Sequence, residues 1–156
     1  MGMILSSPAF GYGDPIPATY TCDGADISPE LRWNNVPPDT ESFVLIMNDS
    51  VGAFTHWVVF NLPPESRGIP EGADLSVVFA DASLVPVEGR NDFERVGYGG
   101  PCPSAGYVHR YFFHLYAVAG ILNLPRGTWK ESVLQRIQGY VLDEATYMGI
   151  YQRGGW

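Results

Sequence analysis

Three runs of β-branched and aromatic residues, each bounded by turn-forming residues, constrain the fold of this chain more than any other feature. They are residues 42–48 (SFVLIMN), 55–63 (THWVVFNLP) and 107–118 (YVHRYFFHLYAV). Runs of this length and composition are typical of β-strands. Residues 49–54, between the first two runs, have a length that suits a hairpin-type connection. The sequence therefore predicts a mainly β fold.

Shorter signals complete the prediction. Residues 75–80 (LSVVFA) are predicted as a short strand and residues 146–153 (TYMGIYQR) as the last strand. Thr128 and Glu131 have capping-box spacing, and apolar residues follow at helical spacing. These are Val133, Leu134, Ile137, Val141 and Leu142. Several short strands with one late helix predict an antiparallel β-sandwich with a helical appendix.

The chain has 156 residues and a formal net charge of −8. This length fits a single domain over residues 1–156, and the negative charge argues against binding to nucleic acids or anionic membranes. There is no apolar run long enough to span a membrane. The amino-terminal residues lack the basic and apolar regions of a signal peptide, so we expect a cytoplasmic location.

A long irregular segment, residues 81–106, ends in the loop GGPCPSAG and leads into the strongest predicted strand. Glycine allows close backbone approach and proline stiffens a loop. Strand alternation then places His109 and Tyr111 on one face and His114 on the other. We expect the loop, His109 and Tyr111 to form the wall of a small site, with His114 in a structural role.

Two further polar residues occur at strand ends. Asp49 follows the first run and His56 begins the second, so a hairpin would bring them to the same end. Joined by His109 and Tyr111, they suit an oxyanion, because imidazole N–H, phenol O–H and glycine-loop N–H groups all donate hydrogen bonds. Asp49 would either hold an imidazole protonated or accept from the amine of a zwitterionic ligand.

Two enzymatic alternatives use some of the same residues. His56, His109 and Asp49 could form a two-histidine, one-carboxylate metal face, and Cys102 beside a histidine could act as a thiol nucleophile. No metal-binding spacing and no nucleotide-binding or nucleophile-elbow motif accompanies them, so no cofactor is expected.

The cysteines and tryptophans are first interpreted as structural. Cys22 and Cys102 lie 80 positions apart, which excludes a zinc ribbon or a thioredoxin motif. Two buried thiols are favoured over a disulfide in a reducing compartment. Trp33, Trp57 and Trp129 are predicted to lie in the core.

Four blocks of sequence together resemble the phosphatidylethanolamine-binding protein family. They are residues 20–33 (YTCDGADISPELRW), 54–63 (FTHWVVFNLP), 95–117 (RVGYGGPCPSAGYVHRYFFHLYA) and 139–153 (GYVLDEATYMGIYQR). The chain is most similar to the small bacterial and archaeal branch, which resembles the Raf kinase inhibitor proteins. The resemblance covers nearly the whole chain. It implies an antiparallel β-sandwich that binds phosphate-like groups in a pocket at one end, and brings no established catalytic chemistry.

Carried over by position, the resemblance implies a specific ligand-binding set. The set is Asp49, His56, Gly100, Pro101, His109 and Tyr111, with Tyr98 and Phe54 as wall residues. It also implies a kinase or a protease as a partner protein, and leaves open whether the chain forms a homodimer. Where the family usually reads Asp-Asp-Pro-Asp-Ala-Pro, residues 48–52 lack the second aspartate and both prolines. Cys22 and Cys102 both fall in matched blocks at the pocket end, so a disulfide between them is a hypothesis.

Overall fold

The computed structural model of the protein describes residues 2–50 and 53–154, and within them two antiparallel sheets carry the fold. The strands are β1 (Ile4–Ser6), β2 (Leu31–Asn34), β3 (Ser42–Asp49), β4 (Thr55–Leu62), β5 (Gly68–Ile69), β6 (Val87–Glu88), β7 (Val108–Val118) and β8 (Val141–Gln152). The small sheet has the order β1-β2-β5 and the large sheet the order β6-β4-β3-β7-β8. The helices are α1 (Leu75–Val78), α2 (Lys130–Ile137) and a 3₁₀ turn over Ala18–Tyr20. The prediction of a mainly β, antiparallel fold is confirmed.

The large sheet is covered on both faces, and this explains the continuous apolar runs of its central strands. On β3, Phe43 and Leu45 face the core cluster that includes Trp33 of the small sheet. Val44 and Ile46 face the opposite cluster, which includes Val133 and Ile137 of α2. A strand buried on both sides has no solvent face that needs polar residues, so its sequence does not alternate.

Three local predictions fail. Residues 75–80 do not form a strand: Leu75–Val78 is a short helix, because the Asp74 side chain accepts a hydrogen bond from the Ser76 backbone N–H and caps its first turn. The predicted capping box is absent, since the Thr128 hydroxyl donates to the Pro125 carbonyl instead. β8 begins at Val141, so Val141 and Leu142 belong to a strand. Gly139, with a φ of 87°, lies between α2 and that strand.

Two of the three tryptophans lie where they were predicted. Trp33 and Trp57 are buried in the cluster between the sheets. Trp129 is 44% exposed, and the Arg90 guanidinium lies over its ring at 5.8 Å from the centroid. The core prediction for Trp129 is therefore wrong, because its indole serves as a surface cation–π partner.

Cys22 and Cys102 form a disulfide. The expectation of two thiols is therefore wrong, and so is the alternative of a free nucleophile at Cys102. The cross-link joins positions separated by 80 residues, and a loop of that length gives a chain-entropy stabilisation of roughly 4 kcal/mol.

In the described ranges no helix is long and apolar enough to cross a membrane.

Candidate ligand-binding site

Strand order brings the chemically active residues together. In the β3–β7 register Asp49 lies directly opposite Tyr111, and His109 precedes Tyr111 by two positions on the same face of β7. His56 lies on β4, which pairs with the other side of β3. The consecutive strands β3 and β4, together with the sequence-distant strand β7, therefore bring these side chains to one end of the large sheet.

A β-bulge sets the direction of His56. Thr55 pairs with Asn48 and Trp57 pairs with Met47, so His56 is an extra residue with no partner on β3. Strict alternation would place His56 on the far face of the sheet with Val58, whereas a bulge redirects the extra side chain. The His56 ring instead packs edge-to-face on Tyr111, with ring centroids 5.2 Å apart.

These side chains open onto a cavity of about 280 Å³. It is lined by Asp49, Phe54, His56, Phe93, Cys102, Pro103, Ser104, His109 and Tyr111. Two imidazoles, a phenol, a hydroxyl and a carboxylate thus share a small space with apolar aromatic walls. This combination of concave shape and few polar groups is typical of a small-molecule site.

His56 is only 4% exposed, and its ring is fixed by one hydrogen bond. The Nδ1 atom lies 2.7 Å from the Gly99 carbonyl oxygen, so Nδ1 must carry a proton and donate it. Burial lowers the pKa of His56, although the Gly99 carbonyl and the Asp49 carboxylate act in the opposite direction. The second nitrogen, Nε2, accepts a hydrogen bond when the ring is neutral and donates one when it is protonated.

Tyr111 supplies a permanent donor. Its side chain is 2% exposed and lines the cavity. No fully buried side-chain nitrogen or oxygen in the described ranges lacks a partner, so the hydroxyl is not a sealed, unpaired donor and can be reached from the cavity. Burial raises the pKa of Tyr111, and the nearby Asp49 carboxylate adds to this effect. The phenol therefore keeps its proton at any physiological pH and can donate it to a ligand.

The Asp49 carboxylate is partly engaged at the end of its own strand. Its Oδ1 accepts from the backbone N–H groups of Ala53, at 3.2 Å, and Phe54, at 3.4 Å. These contacts hold the entry into β4. Asp49 lies at the end of β3, where the sequence placed it. The negative charge of its carboxylate acts to raise the pKa of His56, without a direct hydrogen bond between the two side chains.

Comparison with known proteins decides the family. The family model described as phosphatidylethanolamine-binding protein matches residues 6–152. The chain belongs to the phosphatidylethanolamine-binding protein family. The resemblance drawn from the four sequence blocks is thereby confirmed.

Relatives of this family member are archaeal and bacterial. A UPF0098 protein of Methanothermobacter thermautotrophicus is 46% identical and aligns over 97% of this chain and all of the relative. The phosphatidylethanolamine-binding protein homologue CT736 of Chlamydia trachomatis has a solved structure with a TM-score of 0.85, 38% identity and coverage of 97% and 98% of the two chains. YbcL of Escherichia coli, at 24% identity, has a TM-score of 0.86 and coverage of 97% and 99%, and shows the shared fold.

In this phosphatidylethanolamine-binding protein family member, Gly100 and Pro101 support the cavity from behind. They are buried and do not line it. The Gly100 N–H donates to Asp26 Oδ1 at 2.8 Å, and the Pro101 carbonyl accepts from the Cys22 N–H at 3.1 Å. A Cβ at Gly100 would lie 2.1 Å from the Tyr20 carbonyl oxygen. The glycine is therefore required by close packing.

The expected nest of glycine N–H groups does not form at this site. The Gly99 N–H donates to the His56 carbonyl at 2.9 Å, and the Gly100 N–H is bonded to Asp26. Both donors are therefore unavailable to a ligand. Tyr98 also lies behind the cavity, since its hydroxyl donates to the Tyr20 carbonyl and its ring packs on Trp57.

Pro103 and Ser104 belong to the loop that was expected to form the wall, and they line the cavity, whereas Phe93 lines it without having been predicted from sequence. Phe93 packs on Phe54 and His56, with ring centroids 4.8 and 5.4 Å apart. It belongs to the long irregular segment, where no periodic pattern distinguishes a wall residue from a surface residue.

His114 points to the other face of β7, as strand alternation predicted, and its Nδ1 atom lies 3.3 Å from the Thr146 hydroxyl.

The altered block at residues 48–52 is only partly visible. Asn48 and Asp49 end β3, while Val51 and Gly52 lie outside the described residues, so the effect of the missing aspartate and prolines stays a prediction.

Among the described residues no cluster of three histidine, cysteine or acidic side chains could hold a metal ion. The geometry therefore gives no support to the metal-dependent alternative built on His56, His109 and Asp49.

Proposed function

We propose that this protein is a non-catalytic binding protein whose cavity takes a small phosphate-like anionic group, free or at the end of a phosphorylated ligand. The observation that carries the proposal is the convergence of three hydrogen-bonding side chains, His56, His109 and Tyr111, on one cavity of about 280 Å³. A concave site with a few converging polar groups is typical of a small-molecule site.

His56 and His109 complete the donor set for an anion. Both line the same cavity as Tyr111. Hydrogen bonds between a charged donor and an anion are shorter and stronger than neutral ones. The aromatic walls contributed by Phe54 and Phe93 lower the local dielectric, so the attraction between an imidazolium and an anion is stronger there than in water.

Calorimetric titration with inorganic phosphate tests the proposal. His109→Ala and Tyr111→Phe should each weaken phosphate binding, by roughly 10-fold or more for the imidazole and by roughly 5-fold for the phenol. His114→Gln is the matched control, because His114 lies on the same strand and faces away from the cavity. Equal phosphate affinity in all four proteins would exclude this cavity as the anion site.

Kinase modulation and protease inhibition, implied by the family resemblance, stay predictions, as does the cytoplasmic location. The candidate contact regions are residues 50–54, part of which lies outside the described chain, and the irregular segment 81–106. A panel of purified proteases assayed with and without the protein tests the inhibitory role.

A further inference from the structure

One wall of the cavity is held almost entirely by a covalent bond. Cys102, Pro103 and Ser104 line the cavity, yet outside their own turn, residues 103–105 form no hydrogen bond with the described chain. The nearest backbone bonds on either side join Pro101 to Cys22 and Gly106 to Arg153. The Cys22–Cys102 disulfide is thus the main attachment of this wall between those two points.

The other end of the disulfide is firmly anchored. Cys22 follows the 3₁₀ turn Ala18–Tyr20. There the Thr21 N–H and hydroxyl both donate to the Ala18 carbonyl, and the Gly24 N–H donates to Thr21. A rigid anchor joined to an otherwise weakly held segment is an arrangement in which breaking one bond frees the segment.

We propose that the Cys22–Cys102 disulfide controls the ligand cavity, so that reduction of the bond frees the wall at residues 102–105 and lowers affinity for the phosphate-like group. The affinity part of this proposal rests on the proposed function. Cys102 is exposed and Cys22 is half-buried, so the sulfur on the cavity side is the one a reductant reaches. In the cytosol of mesophiles, the disulfides that do occur are usually transient and either catalytic or redox-sensing.

The reaction is an ordinary thiol–disulfide exchange with a dithiol reductant. A thiolate of the reductant attacks Cys102 Sγ, the bond between the two cysteines breaks, and Cys22 leaves as a thiolate that takes up a proton. The second thiol of the reductant then attacks the mixed disulfide and releases Cys102. The protein gains two thiols, and the reductant, which supplies both electrons, becomes a disulfide.

Two measurements on the full chain test the proposal, each with the oxidised protein and the protein reduced by dithiothreitol. Calorimetry with inorganic phosphate should show affinity lower by roughly 10-fold after reduction, because the wall must then be ordered when the ligand binds. Hydrogen exchange should become faster at the Cys22 and Gly106 amides, whose hydrogen bonds flank the wall, while the amides of β3 and β7 keep their protection.

The variants separate the cross-link from other effects of the reductant. Cys22→Ser lies outside the cavity lining and should bind phosphate like the reduced protein. The double variant Cys22→Ser/Cys102→Ser should not respond to dithiothreitol. Unchanged phosphate affinity, or unchanged exchange at the Cys22 and Gly106 amides after reduction, would overturn the proposal. If the oxidised protein fails to bind phosphate at all, the proposed function fails, while the exchange measurement still decides whether the disulfide holds the wall.

Discussion

At the scale of single residues, His56 shows how burial sets chemistry. Its Nδ1–H is committed to the Gly99 carbonyl, and burial lowers its pKa. The ring is therefore neutral at neutral pH in the empty cavity and offers a lone pair on Nε2. An entering anion makes protonation of Nε2 favourable, so ligand binding and proton uptake are coupled.

The coupling predicts a pH dependence for anion binding. Sulfate is the appropriate probe because it remains a dianion where phosphate itself titrates. Sulfate affinity should rise as the pH falls from about 8 to about 5, by up to about 10-fold per pH unit above the pKa of His56 in the empty cavity. Calorimetry over this range provides the measurement.

The variant His109→Ala isolates the contribution of His56. With the second imidazole removed, the remaining rise in sulfate affinity at low pH reports protonation of the buried ring. A flat profile in His109→Ala would show that His56 does not act as a cationic donor.

At the scale of secondary-structure elements, the site depends on two irregularities. The bulge at His56 turns one side chain toward the cavity, and the loop before β7 packs so tightly that Gly99 and Gly100 have no room for a Cβ. Both features place side chains, and neither provides a ligand contact through its backbone N–H groups.

Gly100→Ala tests the supporting role of the loop. The added methyl would meet the Tyr20 carbonyl and the Asp26 carboxylate, so the loop must shift and the wall at Cys102–Ser104 moves with it. We expect a stability loss of roughly 1–3 kcal/mol, together with weaker phosphate binding. Urea denaturation and calorimetry provide the two measurements.

Gly120→Ala is the matched control for the loop variant. No atom lies within 4 Å of a Cβ built at Gly120, so stability and phosphate binding should stay close to those of the unmodified protein. A Gly100→Ala protein that behaves like Gly120→Ala would contradict the close-packing interpretation.

At the scale of the whole molecule, the buried His56 and the half-buried His114 link stability to pH. Burial lowers the pKa of both His56 and His114 in the folded protein. Below about pH 6.5 the unfolded chain therefore binds more protons than the folded chain, and stability falls as the pH falls. The stabilisation is fully present above that value.

Thermal unfolding should reveal this dependence. The midpoint is expected to be lower at about pH 5 than at about pH 7.5, and His114→Gln should reduce the difference because it removes one of the two groups. The lowered carboxyl pKa values of Glu65 and Asp74 act at lower pH, so they do not mask the effect. Equal midpoints at the two pH values would contradict the lowered pKa values of the buried rings.

The sequence by itself determined the strand-rich architecture, the family and the side chains Asp49, His56, His109 and Tyr111. Apolar runs and turn residues act locally, and the four matched blocks carry the family pattern. Only the tertiary structure decided that Cys22 and Cys102 form a disulfide, that Phe93 lines the cavity, and that Gly100 and Pro101 lie behind it. Each of these depends on segments far apart in the chain, and burial, pairing and close approach have no local signature in sequence.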